Sequence, residues 1–189
     1  EQKNLIKENY LSKIPLSNNK SEIIIDKLPL SIIEIGFIKF IFPRSKFILA
    51  LRHPCDTVIS CFFTFFKTND AMANFLDLDD AINLYNKVFN LFEFYEKQFQ
   101  LDIFKIKYED LVFGFKNQIS LLLNFLNLDY ESSLEKFHET ASKRNIISTP
   151  SYNQVINPLY TSSIGRWKKY NNVIEIEKKL DQWLKKLKY

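Results

Sequence analysis

Histidine and cysteine are nearly missing from this sequence: there are two of each in 189 residues. Cys55 and Cys61 stand six apart, on different faces of any helix that carries them. That spacing is neither a zinc motif nor a disulfide framework. With only His53 and His138 to add, no metal site is expected. Two unpaired thiols fit a reducing compartment, so a cytoplasmic setting is expected. No apolar run approaches the ~20 residues of a membrane helix, and no membrane role is expected. Nothing near Glu1 resembles a signal peptide. The first residue is not Met, and the chain is expected to be a piece of a longer protein. Glycine is scarce, three against eighteen Phe, an imbalance with no functional weight.

What is present describes a globular chain. Hydrophobic residues make up 46% and charged residues 25%, the balance of a folded domain rather than a disordered one. Such a length buries one core, so residues 1–189 are expected to form a single domain. The net charge is +4, and residues 166–189 hold eight Lys/Arg against three Asp/Glu, a local +5. A basic end suits an anionic ligand, and a solvated helix face explains most of those lysines equally well. Nucleic-acid binding is not expected, because the aromatics there fall on an apolar helix face rather than in a stacking platform.

Periodicity places the elements. "SEIIIDK" (21–27) and "KFILALR" (46–52) are short β-branched or apolar runs that predict buried strands. Pro29 opens a helical segment with Ile32, Ile33, Gly36, Phe37 and Phe40 on one side, closed by Pro43. Pro54, at a first helical position, opens a helix to about Lys67. Asp79 and Asp80 start a long helix to about Phe99, and "DIFKIKYEDL" (102–111) predicts a third strand ending near Tyr108. Helices are predicted over 116–126 and 132–140, a long ordered or lid-like loop from Ser148, and a last helix with Ile176, Leu180, Trp183, Leu184 and Leu187 on its apolar side. Strands alternating with helices imply an α/β fold with a parallel sheet covered on both faces.

In such sheets ligands bind beyond the carboxyl ends of the strands. Lys27, Arg52 and Tyr108 each fall at or just past a predicted strand end. The helix opening at Pro54 aims its positive end at the same crevice. Ser60 lies about two turns along it, on the face of Asp56 and Thr57. Arg52 and Ser60 could clasp one phosphate between them, or Arg52 could pair with Asp56 and leave Ser60 merely tolerated. Spacing alone leaves both readings open.

"RHPCDTVIS" resembles the 3′-phosphate-binding segment of sulfotransferases that use 3′-phosphoadenosine 5′-phosphosulfate (PAPS). "IDKLPL" before it resembles that family's basic residue ahead of a proline-led helix, and "IKYEDLV" its strand-end Tyr-Glu-Asp-Leu. "TPSYNQVINPLYTSSIGRWKKY" is similar to the closing cofactor loop of the tyrosylprotein-sulfotransferase-like branch. That branch includes bacterial sulfotransferases that often carry tetratricopeptide repeats, which leaves room for such repeats before Glu1. The resemblance covers about residue 21 to the end. It implies a P-loop-type three-layer α/β fold, here N-terminally truncated, and transfer of a sulfuryl group from PAPS to the hydroxyl of a small molecule or protein, a peptidyl tyrosine or a sugar among them. It assigns Arg52 and Ser60 to the 3′-phosphate, Tyr108 to the adenosine end, Ser151 and Arg166 to the closing loop, and Lys27 to the bridging oxygen of the leaving group. No metal is implied, and no general base is assigned.

Three departures from the family pattern stand out. The Pro-Arg-Ser-Gly-type loop that holds the 5′-phosphosulfate does not occur. "FPRSKFIL" (42–49) has Pro-Arg-Ser but no glycine, and reads as a lookalike at a helix-to-strand turn. Lys27 stands where cytosolic members place a histidine base, and their Arg-Lys-Gly signature is missing from the closing loop. The last two departures favour the tyrosylprotein-like branch, and the missing loop keeps a second expectation alive, a non-catalytic fragment that binds adenosine 3′,5′-bisphosphate or serves interaction. The discriminating feature is a glycine-bearing phosphate loop upstream of Glu1.

Overall fold

The computed structural model describes residues 1–14, 23–67, 69–143, 156–171 and 173–189. They form two compact units, residues 1–47 with 87–102 and residues 48–86 with 103–189.

In the first unit, α1 (Gln2–Ser12) packs on α2 (Ile35–Ile41), which a proline-led 3₁₀ turn (Pro29–Glu34) feeds. Tyr10 links the chain segments here, its hydroxyl donating to Asp26 Oδ2 at 2.7 Å and its ring edge-on to Phe42. The face expected to be apolar is not the buried one: Ile35 and Ile41 are buried, whereas Phe40 is 60% exposed. Three residues per 3₁₀ turn shift the helical phase before α2 begins, so a 3.6-residue period drawn from Pro29 loses register. Gly36 belongs to the packed side, where a Cβ would come within 2.7 Å of Tyr95 Cε1. Tyr95 donates its hydroxyl to the Ile33 carbonyl. The turn after α2, residues 42–45, carries Pro-Arg-Ser and leads straight into β1 (Lys46–Leu51).

The strand expected over 21–27 does not form in its described part. Residues 23–28 take no strand pairing, and Ile25 is 78% exposed. A β-branched run makes a strand only where a neighbouring strand accepts its backbone and a core takes its side chains. Neither is present beside this segment among the described residues. The sheet of those residues therefore has two strands, β1 and β2 (Asp102–Lys107), parallel and adjacent.

In the second unit, β1 ends at Leu51 and α3 (Pro54–Phe62) starts two residues later, with Pro54 at its first position. This helix stops about a turn short of the predicted Lys67. The first half of α4 (Leu78–Gln98), the last helix α8 (Val173–Leu187) and α3 share the core. Cys55, Val58 and Ile59 meet Ala81, Ile82 and Tyr85, with Ile176, Leu180, Trp183 and Leu184 from α8, all buried. Polar ties lock the helices together: Trp183 Nε1 donates to Asn86 Oδ1 at 2.8 Å, and Lys179 bridges Asp79 and Glu175. Immediately after β2 comes α5 (Tyr108–Phe113) rather than more strand, then α6 (Phe115–Leu126). Asn127 ends α6 in the left-handed region, φ 58°, with Leu128 N–H bonded back to the Leu123 carbonyl, the backward bond that closes many helix ends. A 3₁₀ turn (Ser132–Lys136) and α7 (Phe137–Lys143) follow. No helix among the described residues is long and apolar enough to cross a membrane, and no described His/Cys/Asp/Glu group could hold a metal ion.

Candidate functional site

The end of β1 delivers Arg52 to the point where α3 begins. Leu51, the residue before it, is buried. Strand alternation and the rigid Pro54 then leave Arg52 little choice of direction. Its Nη2 donates to the Ser163 carbonyl at 2.7 Å, lies 3.8 Å from Asp56 Oδ1, and the guanidinium carbon is 5.8 Å from the Tyr108 ring centre. Its Nε is buried with no hydrogen-bond partner among the described residues. Arg52 thus takes part of the Asp56 pairing that spacing had left open and still keeps an unspent donor.

Ser60 is half-buried on α3, one helical turn beyond Asp56, so the two share a face. Its carbonyl accepts the Thr64 hydroxyl at 2.6 Å. The Arg52 charge is felt at Cys61, where it opposes the upward pull of burial on that thiol.

Asp56 is the one buried charged side chain among the described residues, 1% exposed. Its Oδ2 accepts Gly165 N–H at 2.7 Å and its Oδ1 accepts Trp167 N–H at 2.9 Å. A buried carboxylate is costly unless its lone pairs are met. Two amides, the nearby guanidinium and the first turn of α3 meet them here. The positive end of α3 thus already faces an anion of its own.

Tyr108 sits at the end of β2 as α5 begins. Its hydroxyl donates to the Tyr160 carbonyl at 2.6 Å, and burial, the largest cause, raises its pKa. Next to it, Glu109 Oε1 accepts His53 N–H at 2.9 Å and Oε2 accepts the Tyr189 hydroxyl at 3.1 Å. His53 stacks on Trp167, centroids 5.1 Å apart and planes 19° apart, with Tyr189 edge-on at 5.2 Å. His53 Nδ1 and Trp167 Nε1 are buried without partners among the described residues. Desolvation lowers the His53 pKa, against the opposing pull of Asp56 and Glu109.

Of the expected site residues, the structure brings Arg52 and Tyr108 together, with Ser60 along α3 and the segment before Arg166 bonded to both strand ends. Arg166 itself is exposed, in a 3₁₀ turn (Arg166–Lys169) after Gly165 at φ 68°. Trp167 is the buried partner of His53. Lys27 belongs to the first unit, exposed and outside any element. Ser151 lies outside the described residues. Sequence reasoning missed the second use of Asp56, whose amide partners lie 109 and 111 residues away. It also missed Glu109, Tyr160 and Tyr189. Only the carboxylate in "YEDL" offered any local signal of these.

A sequence model described as "Sulfotransferase family" matches residues 3–132. An uncharacterized protein of Aquifex aeolicus (strain VF5) is 28% identical over 183 residues, which is 94% of this chain and 23% of that protein. Among solved structures, the sulfotransferase domain from the curacin biosynthetic pathway matches with a TM-score of 0.60 at 20% identity, over 86% of this chain and 63% of that one. At that identity the match speaks for the fold. The chain spans about a quarter of the curated relative's length and under two thirds of the solved domain's. Since the family's own sequence model runs through well over half of its residues, this chain belongs to the sulfotransferase family.

Proposed function

We propose that this chain carries the 3′-phosphate side of a PAPS site, in a protein that transfers a sulfuryl group to an acceptor hydroxyl. The carrying observation is Arg52: a strand-end guanidinium held by the Ser163 carbonyl, flanked by the Tyr108 ring, with a buried Nε that has no partner among the described residues. A buried donor without an acceptor is costly, and an anion beside Arg52 would meet it. The residues present fit a phosphorylated nucleoside on that ground. Arg52 and the Ser60 hydroxyl would hold its 3′-phosphate, Tyr108 would lie toward the adenosine, and Ser151 and Arg166 would approach from the loop.

Bound there, PAPS supplies an activated sulfuryl group. The protein's part is to align the acceptor and to neutralise charge on the leaving oxygen. Lys27 takes the second task in this reading, a cation needing no metal. The acceptor is a small-molecule or protein hydroxyl. Membership of the tyrosylprotein-like branch, with tetratricopeptide repeats elsewhere in the protein, and a cytoplasmic setting belong to the same reading, as does the P-loop-type three-layer architecture.

One observation favours a second reading, a nucleotide-binding or interaction module without catalysis. The sequence has no Pro-Arg-Ser-Gly loop, and its Pro-Arg-Ser falls in the turn between α2 and β1, where the Ser45 hydroxyl is bonded to the Phe42 carbonyl. Sulfuryl transfer and non-catalytic nucleotide binding require the same 3′-phosphate contacts, whereas an interaction module requires none. Calorimetry with adenosine 3′,5′-bisphosphate against adenosine 5′-monophosphate tests them: the 3′-phosphate should strengthen binding by about tenfold or more. Equal affinity for the two nucleotides would refute the assignment. Transfer of labelled sulfate from PAPS by the chain would then separate enzyme from module.

A further inference from the structure

Asp56 does something that neither ion pairing with Arg52 nor core filling requires. A core at this position would take a Leu or Val without desolvating a charge. Instead both carboxylate oxygens are used on backbone amides of one short segment, Gly165 and Trp167. The residue between those amides is Arg166. The residue two before Gly165 is Ser163, whose carbonyl holds Arg52. One buried carboxylate therefore sets the backbone on either side of Arg166 and, through Ser163 and the 3.8 Å approach to Nη2, the heading of Arg52.

Gly165 stands at φ 68°, where a Cβ would meet nothing nearer than Lys168 Cδ at 4.0 Å. The segment is thus not wedged by side-chain packing at Gly165. Trp167 anchors it below, stacked on His53 and 5% exposed.

We infer that Asp56 is a positioning residue: it suspends residues 163–167 so that Arg166 and Arg52 are presented together to one anion. The inference rests on the nucleotide reading above for the identity of that anion, but the suspension itself does not. Asp56 touches no ligand in this account. It acts through two amides and one guanidinium, and it excludes a loop that closes only after the nucleotide arrives.

Amide hydrogen exchange and nucleotide binding together test it. In the wild-type chain without nucleotide, the Gly165 and Trp167 amides should exchange as slowly as those of α8. Fast exchange there would overturn the suspension, with no variant needed. Asp56→Asn keeps the size but offers one acceptor where two amides need one each, so both protections should fall while α8 stays protected. The Arg166→Ala exchange should weaken adenosine 3′,5′-bisphosphate binding about tenfold in the wild-type background. In the Asp56→Asn background it should weaken binding hardly at all, since the loop cation is already misplaced. Additive losses, or a lowered melting temperature with wild-type affinity, would reduce Asp56 to a structural residue and overturn the inference. Slow exchange together with no bisphosphate binding would instead refute the nucleotide reading and leave the suspension standing.

Discussion

Acidification should loosen the second unit through one imidazole, and the structure gives the size and sign. His53 is pressed between the Trp167 ring and the edge of Tyr189. Its Nδ1 is buried without a partner among the described residues. Burial lowers its pKa below 6.5, and Lys168 pushes the same way, while Asp56, Glu109 and Glu177 oppose them without reversing the direction. The unfolded chain therefore takes up a proton at a higher pH than the folded one. The stability that this neutral histidine supports is fully present above pH 6.5, the unfolded value. It is lost as pH falls from there toward the lower folded pKa. One proton gives a slope of at most about 1.4 kcal/mol per pH unit inside that window. Such a loss is large against a total of about 5–15 kcal/mol. His53→Phe keeps a ring against both aromatics and cannot ionise. Urea unfolding between pH 7.5 and 5.5, followed by tryptophan fluorescence, should show the wild-type curve dropping below pH 6.5 relative to the variant. His138 is common to both and cancels. Parallel curves for the two proteins would refute the reasoning, as would a wild-type protein that gains stability on acidification.

Other perturbations test the packing. Leu180, 0% exposed in the α3–α8 core, should cost about 2–5 kcal/mol when changed to Ala, read as a lowered urea midpoint at unchanged slope. Gly36→Ala should destabilise the first unit by about 1–3 kcal/mol, because the methyl would fall 2.7 Å from the Tyr95 ring; circular-dichroism melting of the variant measures it. Cys55 is fully buried with its thiol pKa pushed up to about 12 by desolvation, so it should resist a thiol reagent at pH 8 until the chain is unfolded.

The parts of this fold that local periodicity specifies were readable. The last helix buries Ile176, Leu180, Trp183 and Leu184 as its 3.6-residue spacing requires. The start of α3 follows from Pro54, and the strand before Arg52 from its apolar run. Legibility failed where the outcome depends on a partner distant in sequence. Residues 23–25 have the composition of a strand and no strand beside them. Tyr108 marks the end of β2 as expected, whereas α5, which begins there, is not among the predicted elements, although Glu109 and Asp110 favour a helix start by their negative charge near its amides. At the site, Arg52 could be placed at a strand end from its neighbours alone. The contacts of Asp56 and Glu109 could not, since Gly165, Trp167 and Tyr189 reach them across roughly half the chain.

The most direct measurement is calorimetric titration of adenosine 3′,5′-bisphosphate into the wild-type chain and into Arg52→Ala and Ser60→Ala. Loss of one charged phosphate contact removes about 1.5–3 kcal/mol, so each variant should bind about ten- to over a hundredfold more weakly. Wild-type affinity in both would contradict the account, because the guanidinium at the end of β1 and the hydroxyl on α3 would then not share an anion.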